Sequence, residues 1–150
     1  MNKMHYGRLA TMAVLSFVSM YVLMYAMVDT LANVYVNLNQ LYMAGVMTAP
    51  MVLIELALMG AMYGDRKRNV VIAAVAVVAL GVFWLSIRGQ LAITDRQFLR
   101  SMIPHHAGAI LMCETAPIRD PEIKELCTAI VSSQQSEIDR MKAKLAQLER

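Results

Sequence analysis

The sequence predicts an all-α protein in two parts, a membrane domain over residues 1–88 and a water-exposed helical domain over residues 89–150. The chain of 150 residues is 58% hydrophobic, which is more than a soluble domain of this size carries, because such a domain needs a polar surface. The apolar residues are concentrated in the first part, and the second part has the pattern of amphipathic helices. Its charges are mixed and form no basic stripe, so we expect no nucleic-acid partner.

Three apolar segments of the first part predict three transmembrane helices, and therefore contact with membrane lipid. They cover residues 9–28, 41–63 and 70–87. Each is close to the ~20 residues that a helix needs to cross the hydrocarbon core of a bilayer.

Basic residues predict the orientation of these spans. Arg66, Lys67 and Arg68 lie between the second and third spans, and Lys3 and Arg8 precede the first, whereas residues 29–40 contain no Lys or Arg. The positive-inside rule places the N-terminus in the cytoplasm. Three spans then place the C-terminal domain on the opposite side of the membrane.

The second span carries an unusual series of polar and sulfur-containing side chains. Glu55 is a carboxylate inside the span, where such a group usually has a partner or a function. Met43, Met47, Met51 and Met59 continue its four-residue spacing. Because a four-residue step drifts by about 40° around a helix, the series indicates a packing ridge, and a path for metal ions is the alternative.

Helix-capping signals in the second part predict two helices that form an antiparallel hairpin. Thr94 and Gln97 make a capping-box pattern at the start of a helix over residues 95–116. Asp120 is a typical N-cap for a second helix over residues 121–148. So short a connection makes the two helices antiparallel neighbours.

The first hairpin helix carries candidate metal ligands on its apolar face. Met102, His105 and His106 span only about 6 Å of the helix axis, and Met112 lies about 10 Å further along. At about 100° per residue, the following side chains fall within an arc of roughly 120°: Phe98, Met102, His105, His106, Ala109, Met112 and Cys113.

The apolar face of the second hairpin helix is interrupted by two polar residues, Gln134 and Glu137. In an antiparallel hairpin they lie opposite the histidines, where they can hold the imidazole rings by hydrogen bonds, as carboxylates and amides do for ligating histidines. Met141 is a candidate further ligand. The alternative is that both histidines are buried core residues whose hydrogen bonds Gln134 and Glu137 satisfy.

The two cysteines of the chain, Cys113 and Cys127, lie near the turn of this hairpin on facing sides. Outside the cytoplasm they can form a disulfide. Ligation of copper by their thiolates is the competing interpretation, and the sequence does not decide between them.

The C-terminal part resembles the domain-of-unknown-function family numbered 305. The resemblance rests on the run Phe98-x-x-x-Met102-Ile-x-His105-His106-x-x-Ala-Ile-x-Met112, followed by Gln134-x-x-Glu137-Ile-x-x-Met141. It implies a ferritin-like helical arrangement in the periplasm of a bacterium, anchored in the inner membrane, with copper binding as in the CopM-like members. The motif carries over onto Met102, His105, His106, Met112, Glu137 and Met141. Because this chain has one hairpin where soluble members often have two, the resemblance suggests a homo-oligomer in which two chains complete a bundle.

The predicted function is therefore a non-enzymatic protein that binds Cu(I), or silver, for sequestration, handover or resistance. One alternative is a structural or sensory membrane subunit whose hairpin binds a protein partner. Another is a ferritin-like metalloenzyme. Di-iron sites of that class use Glu-x-x-His pairs, but Glu137 is followed by Arg140 at the position of the histidine.

Overall fold

The computed structural model describes residues 2–150, with side chains from Met4 onward, and confirms the all-α class. The described residues contain no β-strand. Within residues 2–150, three short 3-10 helices accompany five α-helices. The α-helices are α1 (Asn2–Leu23), α2 (Leu38–Leu58), α3 (Arg66–Arg88), α4 (Asp95–Thr115) and α5 (Pro121–Leu148).

Three helical segments are long and apolar enough to cross a membrane, namely Met4–Met27, Leu38–Leu58 and Arg66–Arg88. The second ends earlier than the sequence predicted. At Gly60 the backbone tightens into a separate 3-10 helix, Gly60–Met62, as glycine weakens a helix. Pro50 lies inside α2 without ending it.

The chain divides into two compact units whose boundaries do not follow a single cut in the sequence. The first comprises the residues up to Met24 and residues 39–92, and the second comprises residues 25–38 and 93–150. The loop after the first apolar helix thus belongs to the same unit as α4 and α5. The domain boundary at residues 88 and 89 stays a prediction.

Small and polar residues determine the packing inside the first unit. Gly45 has no room for a side chain, because a Cβ there would collide with the ring of Phe83. The carboxylate of Glu55 accepts a hydrogen bond from the hydroxyl of Tyr63 at 3.1 Å, so the polar group in α2 has the partner that its position requires. The hydroxyl of Thr48 lies 3.7 Å from the sulfur of Met20, consistent with methionines that fill the helix interfaces.

The predicted caps of α4 and α5 are confirmed. The side chain of Thr94 accepts a hydrogen bond from the backbone N–H of Gln97. The side chain of Asp120 accepts two, from the backbone N–H groups of Glu122 and Ile123. These contacts satisfy N–H groups that have no partner within the helix.

Helices α4 and α5 pack against each other along their length. Cys113 near the end of α4 is disulfide-bonded to Cys127 near the start of α5, with 5.2 Å between their Cα atoms. At the opposite ends, Arg100 forms a salt bridge of 2.7 Å with Glu149. Between these contacts lies an apolar core made of Ile103, Ala107, Ile110, Ile138 and Leu145.

Candidate functional site

Helix α4 is covered on two sides and open on the third. Its first covered side faces α5 and carries the core residues. Its second faces residues 25–38, where the carbonyl oxygen of Met27 approaches to 3.3 Å from the position that a Cβ on Gly108 would take. The third, which we call the open side of α4, consists of exposed or half-buried residues without a charged group: Phe98, Met102, His105, Ala109 and Met112.

His106 lies on the covered side, toward α5. Its side chain is 8% exposed. Nδ1 donates to the carbonyl oxygen of Met102 at 2.8 Å, and Nε2 lies 2.7 Å from the carboxylate of Glu137. Glu137 also accepts a hydrogen bond from the hydroxyl of Ser133 at 3.3 Å. This arrangement fits the buried, hydrogen-bonded histidine that the sequence offers as the alternative to a metal ligand.

The two ring nitrogens of His106 are both engaged. A carbonyl oxygen only accepts, so Nδ1 is the donor in the contact with Met102. The carboxylate of Glu137 occupies the position beside Nε2, so in this arrangement Nε2 is not open to a metal ion.

A cleft beside this pair brings together several of the predicted site residues. Its volume is about 450 Å³. Met102 and His106 line it from α4, and Glu137 and Met141 line it from α5. Two methionines and one histidine thus border a single space. The complete lining is Phe98, Leu99, Met102, His106, Glu137, Arg140, Met141 and Lys144.

The other candidate ligands lie elsewhere. His105 is exposed on the open side of α4, with its ring centre 6.0 Å from that of His106. Met112 is 52% exposed and lies outside the lining of the cleft, as does Gln134, which is half-buried. The disulfide occupies both cysteine sulfurs, so neither is a thiolate ligand here. Adjacent histidines therefore face different surroundings.

Histidine, cysteine and carboxylate side chains form no group of three or more that could hold a metal ion in the described part of the chain. Methionine sulfur is a further donor type among the candidate ligands, and it favours soft ions such as Cu(I).

Sequence patterns did not reveal two features of this region. Arg140 and Lys144 line the cleft, although a helical wheel centred on the apolar face excludes them. In residues 25–38, Val28 and Tyr35 pack against the core that α4 and α5 share, and the backbone of Met27 approaches Gly108 of α4. The only signal for that contact was Gly108, since a small residue permits a close backbone approach.

Comparisons with known proteins give relatives without an assigned activity. The family model described as Domain of unknown function (DUF305) matches residues 86–145. An uncharacterized protein of Acanthamoeba polyphaga mimivirus is 33% identical over 141 residues, which cover 92% of this chain and 91% of the relative. The similarity therefore includes the apolar helices as well as α4 and α5. No solved structure matches.

Proposed function

The chain belongs to the DUF305 family, and on that premise we propose that it is a membrane-anchored, non-enzymatic protein that binds Cu(I), and also Ag(I), in the cleft between α4 and α5. The metal is cargo, for sequestration, handover or resistance. One observation carries the proposal: Met102, His106 and Met141 line the same cleft. Two thioethers and an imidazole are the donor types that soft copper favours.

The hydrogen bond from Nδ1 of His106 supports this assignment. Metal-bound histidines generally donate their second ring N–H to a carbonyl or carboxylate, which fixes the ring and the tautomer. Here Nδ1 donates to the carbonyl oxygen of Met102, so Nε2 is the nitrogen that remains for an ion.

Glu137 is the group that an incoming ion displaces. Its side chain is 46% exposed, against 10% for His106, so the carboxylate can turn into water while the ring stays in place. Cu(I) then takes the position beside Nε2 that the carboxylate occupies, since a metal ion binds the neutral imidazole through a free ring nitrogen.

We further propose that α4 and α5 form an antiparallel hairpin corresponding to half of a ferritin-like bundle. The basic residues around Arg66–Arg68 favour a cytoplasmic N-terminus and an extracytoplasmic, periplasmic hairpin at the bacterial inner membrane. In that compartment the disulfide between Cys113 and Cys127 persists.

The test is a competitive Cu(I) titration of the full chain in detergent micelles against a chromophoric chelator. Replacement of both Met102 and Met141 by Leu keeps their volume and removes both thioethers. We expect the affinity for Cu(I) to fall by about 10- to 100-fold, the range seen when metal-site contacts are lost. The matched control is Met27→Leu, because Met27 is exposed and lies outside the cleft.

X-ray absorption of the copper-loaded chain gives a second readout. We expect sulfur and nitrogen neighbours in the wild type and the loss of the sulfur neighbours in the Met102→Leu, Met141→Leu variant. An unchanged affinity in that variant, or a coordination sphere without sulfur, contradicts the proposal.

A further inference from the structure

One side of the α4–α5 pair carries exposed apolar side chains, among them Phe98 and Leu126. The open side of α4 belongs to it, and so does the adjoining face of α5. The cleft shows that the two faces lie on the same side, because Phe98 and Met102 of α4 line it together with Arg140 and Lys144 of α5. Residues 25–38 cover the side of α4 that carries Gly108.

The α5 part of this surface is a stripe of residues spaced by three or four positions, which places them on one helix face. We call it the outer stripe of α5. Leu126 on it is 58% exposed. The stripe consists of Glu122, Leu126, Ile130, Ser133, Glu137, Arg140 and Lys144.

Opposite charges lie at the two ends of the outer stripe. Glu122 lies at one end, and Arg140 and Lys144 lie at the other. The carboxylate of Glu137, next to Arg140, contacts His106 within the chain. Twenty-two positions separate Glu122 from Lys144, or about 33 Å along the helix, so they cannot pair within one chain. Among the described residues neither forms a salt bridge, and Lys144 donates a hydrogen bond of 3.4 Å to Gln147. A second copy turned end for end presents the opposite order and is complementary.

Small residues lie where such a copy crosses. The centre of the stripe between Glu122 and Lys144 is Ser133. The contacts of Cys113 with Cys127 and of His106 with Glu137 set the register between the helices. In that register Ala109, on the open side of α4, lies level with Ser133 to within about one helical turn. Short side chains at both positions permit close approach.

We propose that this surface binds a second copy of the chain about a two-fold axis that passes at the level of Ala109 and Ser133. The axis brings Glu122 level with Lys144 of the second copy, and Leu126 level with Arg140 of the second copy. The aliphatic stem of that arginine can cover the exposed leucine. The interface is isologous, so each contact occurs twice.

The same axis unites candidate ligands that one chain keeps apart. His105 and Met112 lie about 10 Å apart along α4, four and three residues from Ala109 on opposite sides of the axis. Each His105 is therefore level with Met112 of the second copy to within about one residue. The dimer adds an imidazole and a thioether at each of two equivalent positions; their use for Cu(I) rests on the proposed function, whereas the interface itself does not.

Charge exchange tests the interface in the full chain by sedimentation equilibrium in density-matched detergent. Lys144→Glu faces Glu122 of the second copy with a like charge, twice per dimer, and we expect the dimer to dissociate about tenfold more readily. Glu122→Lys has the same effect. The double variant restores opposite charges, and we expect its dissociation constant to return to within about threefold of the wild type.

The control is Lys124→Glu, the same charge change on a residue that lines a different cleft, beside the disulfide; we expect it to leave the dimer unchanged. Glu122 also lies in the first turn of α5, where an acidic residue stabilises the helix. Circular dichroism therefore checks that each variant is folded. If Glu122→Lys unfolds the chain, Lys144→Glu alone is the test. Three outcomes would overturn the inference: a wild-type chain that stays monomeric, single variants that dimerise normally, or a double variant that dimerises no better than the single ones.

None of these measurements involves a metal, so a monomer that binds Cu(I) would overturn this interface and leave the proposed function intact.

Discussion

The side of α4 that faces α5 and the open side of α4 give adjacent residues different degrees of burial. On the covered side, His106 has hydrogen-bond partners at both ring nitrogens. On the open side, His105 is exposed among apolar side chains. Successive residues of an α-helix are about 100° apart, so adjacent histidines cannot both face α5. The two histidines thus differ: contacts within the chain hold His106 in place, whereas His105 is exposed and available to a partner.

We assign a stabilising role to the covered side of α4 and a role in binding a partner to the open side. The covered side buries Ile103 and Ile138 completely and includes the disulfide, so contacts inside the chain account for its order. The open side exposes Phe98 and Met112 by 49% and 52%. Apolar side chains aligned in this way commonly mark an interaction surface.

The largest expected effect compares two isoleucines of α5. Ile138 is fully buried, whereas Ile123 is 49% exposed. Ile138→Ala removes methylene groups from a packed core and should lower the local opening free energy of α4 and α5 by about 2–5 kcal/mol. Ile123→Ala should change it by less than about 1 kcal/mol. Hydrogen-exchange mass spectrometry of the full chain in detergent measures both, and equal losses would contradict the assignment of covered and open sides.

The disulfide should contribute almost as much to stability and nothing to the cleft. It closes a loop with a sequence separation of 14, for which the loss of chain entropy corresponds to about 3 kcal/mol. Replacement of Cys113 and Cys127 by Ser should therefore lower the opening free energy by about that amount. Under conditions where the variant is folded, its affinity for Cu(I) should stay within about twofold of the wild type, because Cys113 lies about 10 Å along α4 from His106. A large loss of Cu(I) affinity would support the cysteines as ligands instead.

Local signals predicted the helices well, because each one depends on nearby residues. The caps at Thr94 and Asp120, and the apolar segments, are properties of a few turns of chain. The contact between His106 and Glu137 could also be predicted, because the short turn between the helices sets their register and places Glu137 opposite His106. The packing of residues 25–38 against α4 was not, because contacts between segments so distant in sequence leave no periodic signal in either one.

A helical wheel also could not separate His105 from His106. Both fall within the same broad apolar arc, and the arc contains a side that meets α5 and a side whose residues are exposed or half-buried. Only the position of the neighbouring elements divides it. For the same reason the proposed ligands divide into a cleft set, Met102, His106 and Met141, and an open-side set, His105 and Met112.

Replacement of each histidine by alanine tests that division, and the expected change in opening free energy is smaller than for Ile138→Ala or for loss of the disulfide. His106→Ala removes a hydrogen-bond partner of Glu137 and of the carbonyl of Met102, and should cost about 1–2 kcal/mol of opening free energy, since Glu137 is partly hydrated. His105→Ala should change stability by less than about 0.5 kcal/mol. Urea-dependent hydrogen exchange of the metal-free chain distinguishes them. If the two variants lose the same stability, the two sides are not distinct.

The smallest expected effect links the open side to the second copy. If His105 and Met112 of different copies act together on Cu(I), Met112→Leu should weaken the binding about threefold in the wild-type background, within the range of coupled contacts. In the Lys144→Glu background the chain is monomeric, and the same substitution should have no effect, because within one chain Met112 lies about 10 Å along the helix from His105. The measurement is a double-mutant cycle of Cu(I) affinities at a protein concentration where only the wild type dimerises. Equal effects of Met112→Leu in both backgrounds would mean that Met112 acts within its own chain, and no effect in either would confine copper to the cleft.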